Sequence, residues 1–168
     1  MSVIDPISAP EITVLGVGNI VLKDEGFGVR VVEALQEEYE WPDNVQLLDG
    51  GTLGMELLRF VTGTKKLLVI DAVAGEKPGK VYRFAGDSVS DHFNEKLSAH
   101  EIGIQDVLTV YKIGGHDMPE TVVIGAVPED IEAGMDLTPT LQACVPKLCD
   151  MALKELAAWG VNPKPRKG

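Results

Sequence analysis

Glu25, Asp71 and His100, far apart in the chain, are of types that together make a metal-binding donor set. One imidazole and two carboxylates suit a borderline divalent ion such as zinc, nickel or cobalt, which accepts nitrogen and oxygen ligands alike. Each residue also has an ordinary reading. An acid in the first turn of a helix is a common partner of the helix dipole, and His100, inside the capping sequence "SAHE", could be a surface residue. His92 and His116 lie in polar loops and are weaker candidates for the same role. Nucleophilic catalysis has little support, because no G-x-S-x-G elbow occurs and neither cysteine stands in a reactive loop. Cys144 and Cys149 are five apart, so on one helix they would point about 140° away from each other. They read as reduced thiols packed like small apolar residues.

The stretch around Glu25, "GVGNIVLKDEGFGVRVVEAL", admits a second chemistry. Gly16, Gly18 and Asp49 at the end of the second strand are features of a dinucleotide-binding unit. The third glycine position, however, holds Val21, and the helix is expected to begin near Glu25, about seven residues beyond the glycine pair. A pyrophosphate would lie too far from that helix N-terminus, and Asp24 and Glu25 would occupy the anion site with the chain's own carboxylates. The loop is therefore expected to present a carboxylate. Asp49, in "DGGT", is either a strand-end acid held by the glycine turn or a polar group beside which Gly50, Gly51 and Gly54 let another backbone approach.

Positioning these residues requires an α/β frame. "EITVLGVG" reads as a buried strand, followed by Gly28, Val31, Val32, Leu35 and Tyr39 at helical spacing up to "WPDN". "VQLLD" and "KKLLVIDAV" read as further buried strands with a short helix between them around Leu53 to Val61, and their near-continuous apolar character predicts parallel pairing. Only "GEKPG" and its neighbours separate the latter from "KVYRF", too few residues for a parallel crossover, so that strand is expected to be antiparallel. A capping box, Ser98 with Glu101, predicts a helix from about residue 99 bearing Ile104, Val107, Leu108 and Tyr111. The segment 86 to 98 can span roughly 40 Å when extended, enough to return to the opposite sheet edge. "ETVVIGAV" is the last strand, and Thr138 with Pro139 starts a helix that Pro146 should kink. The expectation is a single three-layer α/β domain, residues 1–168: about five strands in a mostly parallel twisted sheet with one antiparallel strand, helices on both faces, and residues 1–11 and 164–168 flexible. In such a sheet the loops at the carboxyl ends of the strands gather where ligands bind, and Glu25, Asp49, Asp71 and His100 all fall there.

A chain of 168 residues with 45% apolar content can bury a core without disulfides. Its net charge of −11 disfavours nucleic acid and anionic membrane and welcomes a basic partner. The start "MSVIDPISAP" has no signal-like pattern, and no run approaches the roughly 20 apolar residues of a membrane span, which reads as cytoplasmic.

"GVGNIVLKDEGFGV", "LLDGGTLGMELL", "VIDAV", "SAHEIGIQDVL" and "GAVPEDIEAGMDLTPTL", in this order, resemble the hydrogenase maturation endopeptidases over Ile12 to Pro163. The resemblance implies a cytoplasmic peptidase that removes a short C-terminal extension from the precursor of a nickel-iron hydrogenase large subunit after nickel insertion, and a monomer is expected. It implies metal binding by Glu25, Asp71 and His100 and an influence of Asp49 on cleavage. The ion would be nickel borne by the substrate, and zinc or cadmium could occupy the same site. Val21 stands where leucine is commoner, which implies only a change in packing. The H-E-x-x-H motif of many zinc peptidases is missing, which favours a docking role for the ion. Two rival readings are a non-catalytic nickel carrier or maturation chaperone, and a dinucleotide-binding module.

Overall fold

A computed structural model of the chain describes residues 10–51, 62–86, 88–89 and 119–166. Its centre is a five-stranded sheet of β1 (Ile12–Val17), β3 (Val45–Gly51), β4 (Lys66–Ala72), β5 (Val81–Ala85) and β6 (Glu120–Ala126), in the order β3-β1-β4-β6-β5. β1, β3, β4 and β6 are parallel, and β5 runs antiparallel to β6, as the short connection requires. β6 stands between β4 and β5, so that connection is not a hairpin.

Register assigns the rows of side chains to two faces. Ile12, Val14, Leu68, Ile70, Val122 and Ile124 pack with α1 (Phe27–Glu38) and α2 (Pro139–Ala158) in the main core. The alternate row, Leu15, Leu67, Val69 and Val123, forms a second buried cluster with Phe84 and Val89. Both rows are apolar, which explains the near-continuous hydrophobic strands. The helices expected near 53–61 and from residue 99 lie outside the described residues.

Why α1 settles on the sheet is written in its apolar spacing and its glycines. Val31, Val32 and Leu35 are fully buried. Gly28 sits so close to the ends of two strands that a Cβ there would collide with the Ile70 carbonyl oxygen and crowd that of Val17. The helix begins slightly later than expected: residues Lys23–Gly26 form one 3-10 turn and α1 opens at Phe27, with Gly26 as an N-cap that supplies no side-chain bond. α2 starts at Thr138 and Pro139 as expected, the Thr138 hydroxyl accepting from Leu141 N–H, and continues through Pro146 on its exposed side. Both cysteines lie on α2, buried and unbridged.

The C-terminal residues depart from the expected flexible tail. Lys164–Pro165 form a short strand, β7, antiparallel to β2 (Tyr39–Glu40), and Arg166 donates from its backbone to Glu38 O and from Nε to Gln36 O. The last carbonyls of α1 need acceptable donors, and a basic residue near that end supplies them. Among the described residues no helix is long and apolar enough to cross a membrane.

Candidate functional site

Two of the sequence-derived donors flank one point of the sheet. From β1 the chain passes to β3 on one side, and β4 then lies on the other side of β1. That reversal makes the carboxyl ends of β1 and β4 a topological switch point, where an open α/β sheet leaves a crevice. Glu25 is on the 3-10 turn that follows β1, and Asp71 is the next-to-last residue of β4, one position past the last β1 pairing at Ile70. Asp71 is 1% exposed, and one carboxylate oxygen accepts from the Ala72 N–H at 2.8 Å.

Glycine is what lets the strand ends and the turn close on one another. Gly18, at φ 131°, lies against the Glu25 carbonyl with no room for a side chain, and Gly125 lies likewise against the Asp71 carbonyl. The glycines of "GVGNIVLKDEGFGV" therefore pack backbone on backbone around the acid-bearing turn, and a phosphate cradle is not needed to explain them.

Asp49 is placed differently. It pairs in register with Gly16, on the row of Ile70 and Ile124 that faces the α1 side. Asp71 is one residue further along and so belongs to the alternate row. Two strand spacings, roughly 10 Å, also separate their lines. Asp49 is exposed and Asp71 buried. Glu25 and Asp71 thus stand at the carboxyl ends of two adjacent strands, and Asp49 stands on the row of the opposite face. His100, His92 and His116 lie outside the described residues, and among the described residues no three His, Cys, Asp or Glu groups are placed to hold a metal ion.

Asp24 has a role that residue type alone did not reveal. Expected with Glu25 to occupy the helix N-terminus, it turns away from α1 and is fully buried. Oδ2 accepts from the N–H groups of Glu129 and Asp130, at 2.9 and 3.1 Å, and from the Thr138 hydroxyl at 2.8 Å. Oδ1 accepts from Thr138 N–H at 2.9 Å. The Thr138 hydroxyl thereby donates to Asp24 while accepting from Leu141 N–H, joining the acid turn to the first turn of α2. Backbone bonds reinforce this latch: Lys23 N–H donates to Gly134 O, Gly134 N–H to Val21 O, and Asp24 N–H to Asp130 O. Lys23 adopts φ 46°, a left-handed conformation that a non-glycine residue holds only when its surroundings fix it. Its ammonium bonds Asp130 at 2.7 Å, an arrangement that raises the Lys23 pKa and lowers that of Asp130. The signal in sequence was "DLTPT", a cap hydroxyl next to a segment rich in polar turn residues.

Val21 is 49% exposed at the outer edge of this latch. The cysteines take no part in the site. Burial raises the pKa of both thiols, that of Cys149 to about 12, which leaves them protonated and unreactive at neutral pH.

Comparison with known proteins identifies the family and the fold. The model of the hydrogenase maturation protease family matches residues 29–155. A hydrogenase 2 maturation protease of Escherichia coli (strain K12) is 40% identical over 158 residues, covering 93% of this chain and 96% of that protein. The hydrogenase expression/formation protein HupD of Rhizobium leguminosarum bv. viciae is 42% identical over 159 residues, covering 93% of this chain and 79% of that protein. In three dimensions the chain superposes on the hydrogenase maturating endopeptidase HybD from E. coli with a TM-score of 0.86 at 40% identity, covering 93% and 98% of the two chains. The nickel-iron hydrogenase maturation protease HybD from Thermococcus kodakarensis gives 0.72 at 29% identity, covering 86% and 97%. The chain belongs to the hydrogenase maturation protease family, whose members are hydrolases of the endopeptidase class.

Proposed function

We propose that this endopeptidase removes the C-terminal extension from the precursor of a nickel-iron hydrogenase large subunit once nickel has been inserted, working as a monomer in the cytoplasm. Glu25, Asp71 and His100 reach the nickel that the precursor carries, so that the ion itself marks a substrate ready for processing. Carboxylate and imidazole donors fit such a borderline ion, and three of them leave its coordination to be completed by the precursor's own ligands. Hydrolysis adds water to one peptide carbonyl, breaks its C–N bond and releases the extension with a protonated amine. Asp49, on β3, influences cleavage and is not a ligand. Zinc or cadmium could take the place of nickel in the isolated protein.

What carries this reading is the placement of Glu25 and Asp71 at the β1/β4 switch point in a chain of this family. The acidic surface, at net charge −11, suits a partner with basic patches and disfavours nucleic acid. The test incubates the purified chain with nickel-loaded and nickel-free precursor and measures product mass. Shortening of the loaded form alone is expected. Equal cleavage of both would overturn nickel recognition; tight nickel binding by the free chain, with no change in precursor length, would identify a carrier instead.

A further inference from the structure

Among the described residues, three large apolar side chains are substantially exposed: Val21 at 49%, Ile131 at 54% and Met135 at 52%. Scattered singly, such residues need no explanation. These three instead belong to two segments zipped together, through the Leu22–Gly134 bridge, the bond from Gly134 N–H to Val21 O and that from Lys23 N–H to Gly134 O, and Arg30 Nη2 of α1 donates to Met135 O beside them. They form one lip on the loop that carries Glu25, four residues beyond Val21. The Asp24 latch fixes that lip, so its apolar groups stay in water although the chain has a core that could take them.

We infer that this lip is a docking surface for the folded body of the hydrogenase precursor, contacting an apolar patch flanked by lysine or arginine next to the C-terminal extension. The inference rests on the reading above that this precursor is the substrate. Charge selects the occupant. Exposed Glu129, Glu132 and Asp136 alternate with the apolar groups, while the two cations that touch the lip, Lys23 and Arg30, are each bridged to an acid of this chain, Asp130 and Glu33. A second copy would set acid against acid on a chain of net charge −11, whereas a basic surface would be attracted. Rigidity helps as well, because a lip already held in place loses little freedom on binding. A substrate recognised by its folded body as well as by its ion would present the scissile bond in one orientation only.

The triple variant Val21→Ser, Ile131→Ser, Met135→Ser tests the assignment, with nickel-loaded precursor as substrate. KM should rise at least tenfold, which corresponds to about 1.4 kcal/mol of binding, and the maximal rate at saturating precursor should be retained. Replacing the acids, in Glu129→Gln, Glu132→Gln, Asp136→Asn, should flatten the rise of KM with salt. The single variants Val21→Ser and Met135→Ser, which should melt with the wild type, carry the test should the triple variant not fold. An unchanged KM in folded variants of a wild-type chain that does process precursor overturns the lip and leaves the function standing. A wild-type chain that neither binds nor cleaves loaded precursor overturns the function and the lip together. A wild-type dimer made monomeric by the variant, with KM unchanged, would assign the lip to self-association.

Discussion

Neighbouring acids with opposite duties set the chemistry of the acid turn: Asp24 is buried and holds another loop, while Glu25 remains partly exposed. The sequence points to Glu25 as the donor and gives Asp24 no part beyond the helix N-terminus, because residue type does not show which distant loop a side chain will hold. Thr138, 114 residues away, supplies the distinction. Asp24→Asn should be severe, since an amide nitrogen would face N–H groups that now donate to an oxygen. Leaving even one or two buried donors without an acceptor costs about 1–3 kcal/mol each, so chemical denaturation should show a loss of about 2 kcal/mol or more, with processing impaired as well. Glu25→Gln and Asp71→Asn should instead leave stability within about 1 kcal/mol and lower the processing rate by a hundredfold or more, read from product mass over time. Asp49→Asn should reduce the rate while sparing metal affinity, measured by calorimetry with nickel; equal loss of both would make Asp49 a ligand.

At the scale of elements, the close seating of α1 on β1 and β4 fixes how the acid turn before it meets the end of β4. Gly28→Ala tests that seating. Alanine favours a helix by nearly 1 kcal/mol, but its methyl would collide with the Ile70 carbonyl, and overpacking of this kind typically costs about 1–3 kcal/mol. A net loss in thermal stability is expected, together with lower activity, because the helix must lift from the strand that bears Asp71. An unaltered melting temperature would show that α1 has slack. The strands, their parallel pairing, the one antiparallel member and the Thr138 cap were all legible, since apolar runs, connection lengths and cap chemistry are local properties. Strand order was not: nothing in "GEKPG" states that β6 will enter between β4 and β5. The C-terminal pairing escaped for a similar reason, two residues being too few to show a period. Deleting residues 164–168 should therefore reduce stability by about 1 kcal/mol, the scale of one or two net hydrogen bonds, with no change in processing rate.

For the molecule as a whole, acid pH offers a readout of the joint between its two ends. Asp130 is held below its ordinary pKa, first by the Lys23 ammonium and then by the Glu132 N–H. A depressed carboxylate contributes stability above its unfolded value of about 4 and loses it as pH falls through the lower folded value. The stability difference between wild type and Asp130→Asn should therefore be flat from neutrality down to about pH 5 and shrink only below about pH 4; a difference that vanished near pH 6 would implicate another group. The same joint governs the order in which the molecule comes into being. Asp24 bonds to residues 105, 106 and 114 positions later, so its partners are synthesised long after it. At roughly 5–20 residues per second on the ribosome, the acid turn waits several seconds for its latch. Contacts of such sequence separation also form slowly in refolding, because the intervening chain must first be closed into a loop. A nascent or truncated chain that ends before Thr138 therefore has its sheet strands but an unset acid turn, so proteolytic competence is a late event in the life of each molecule.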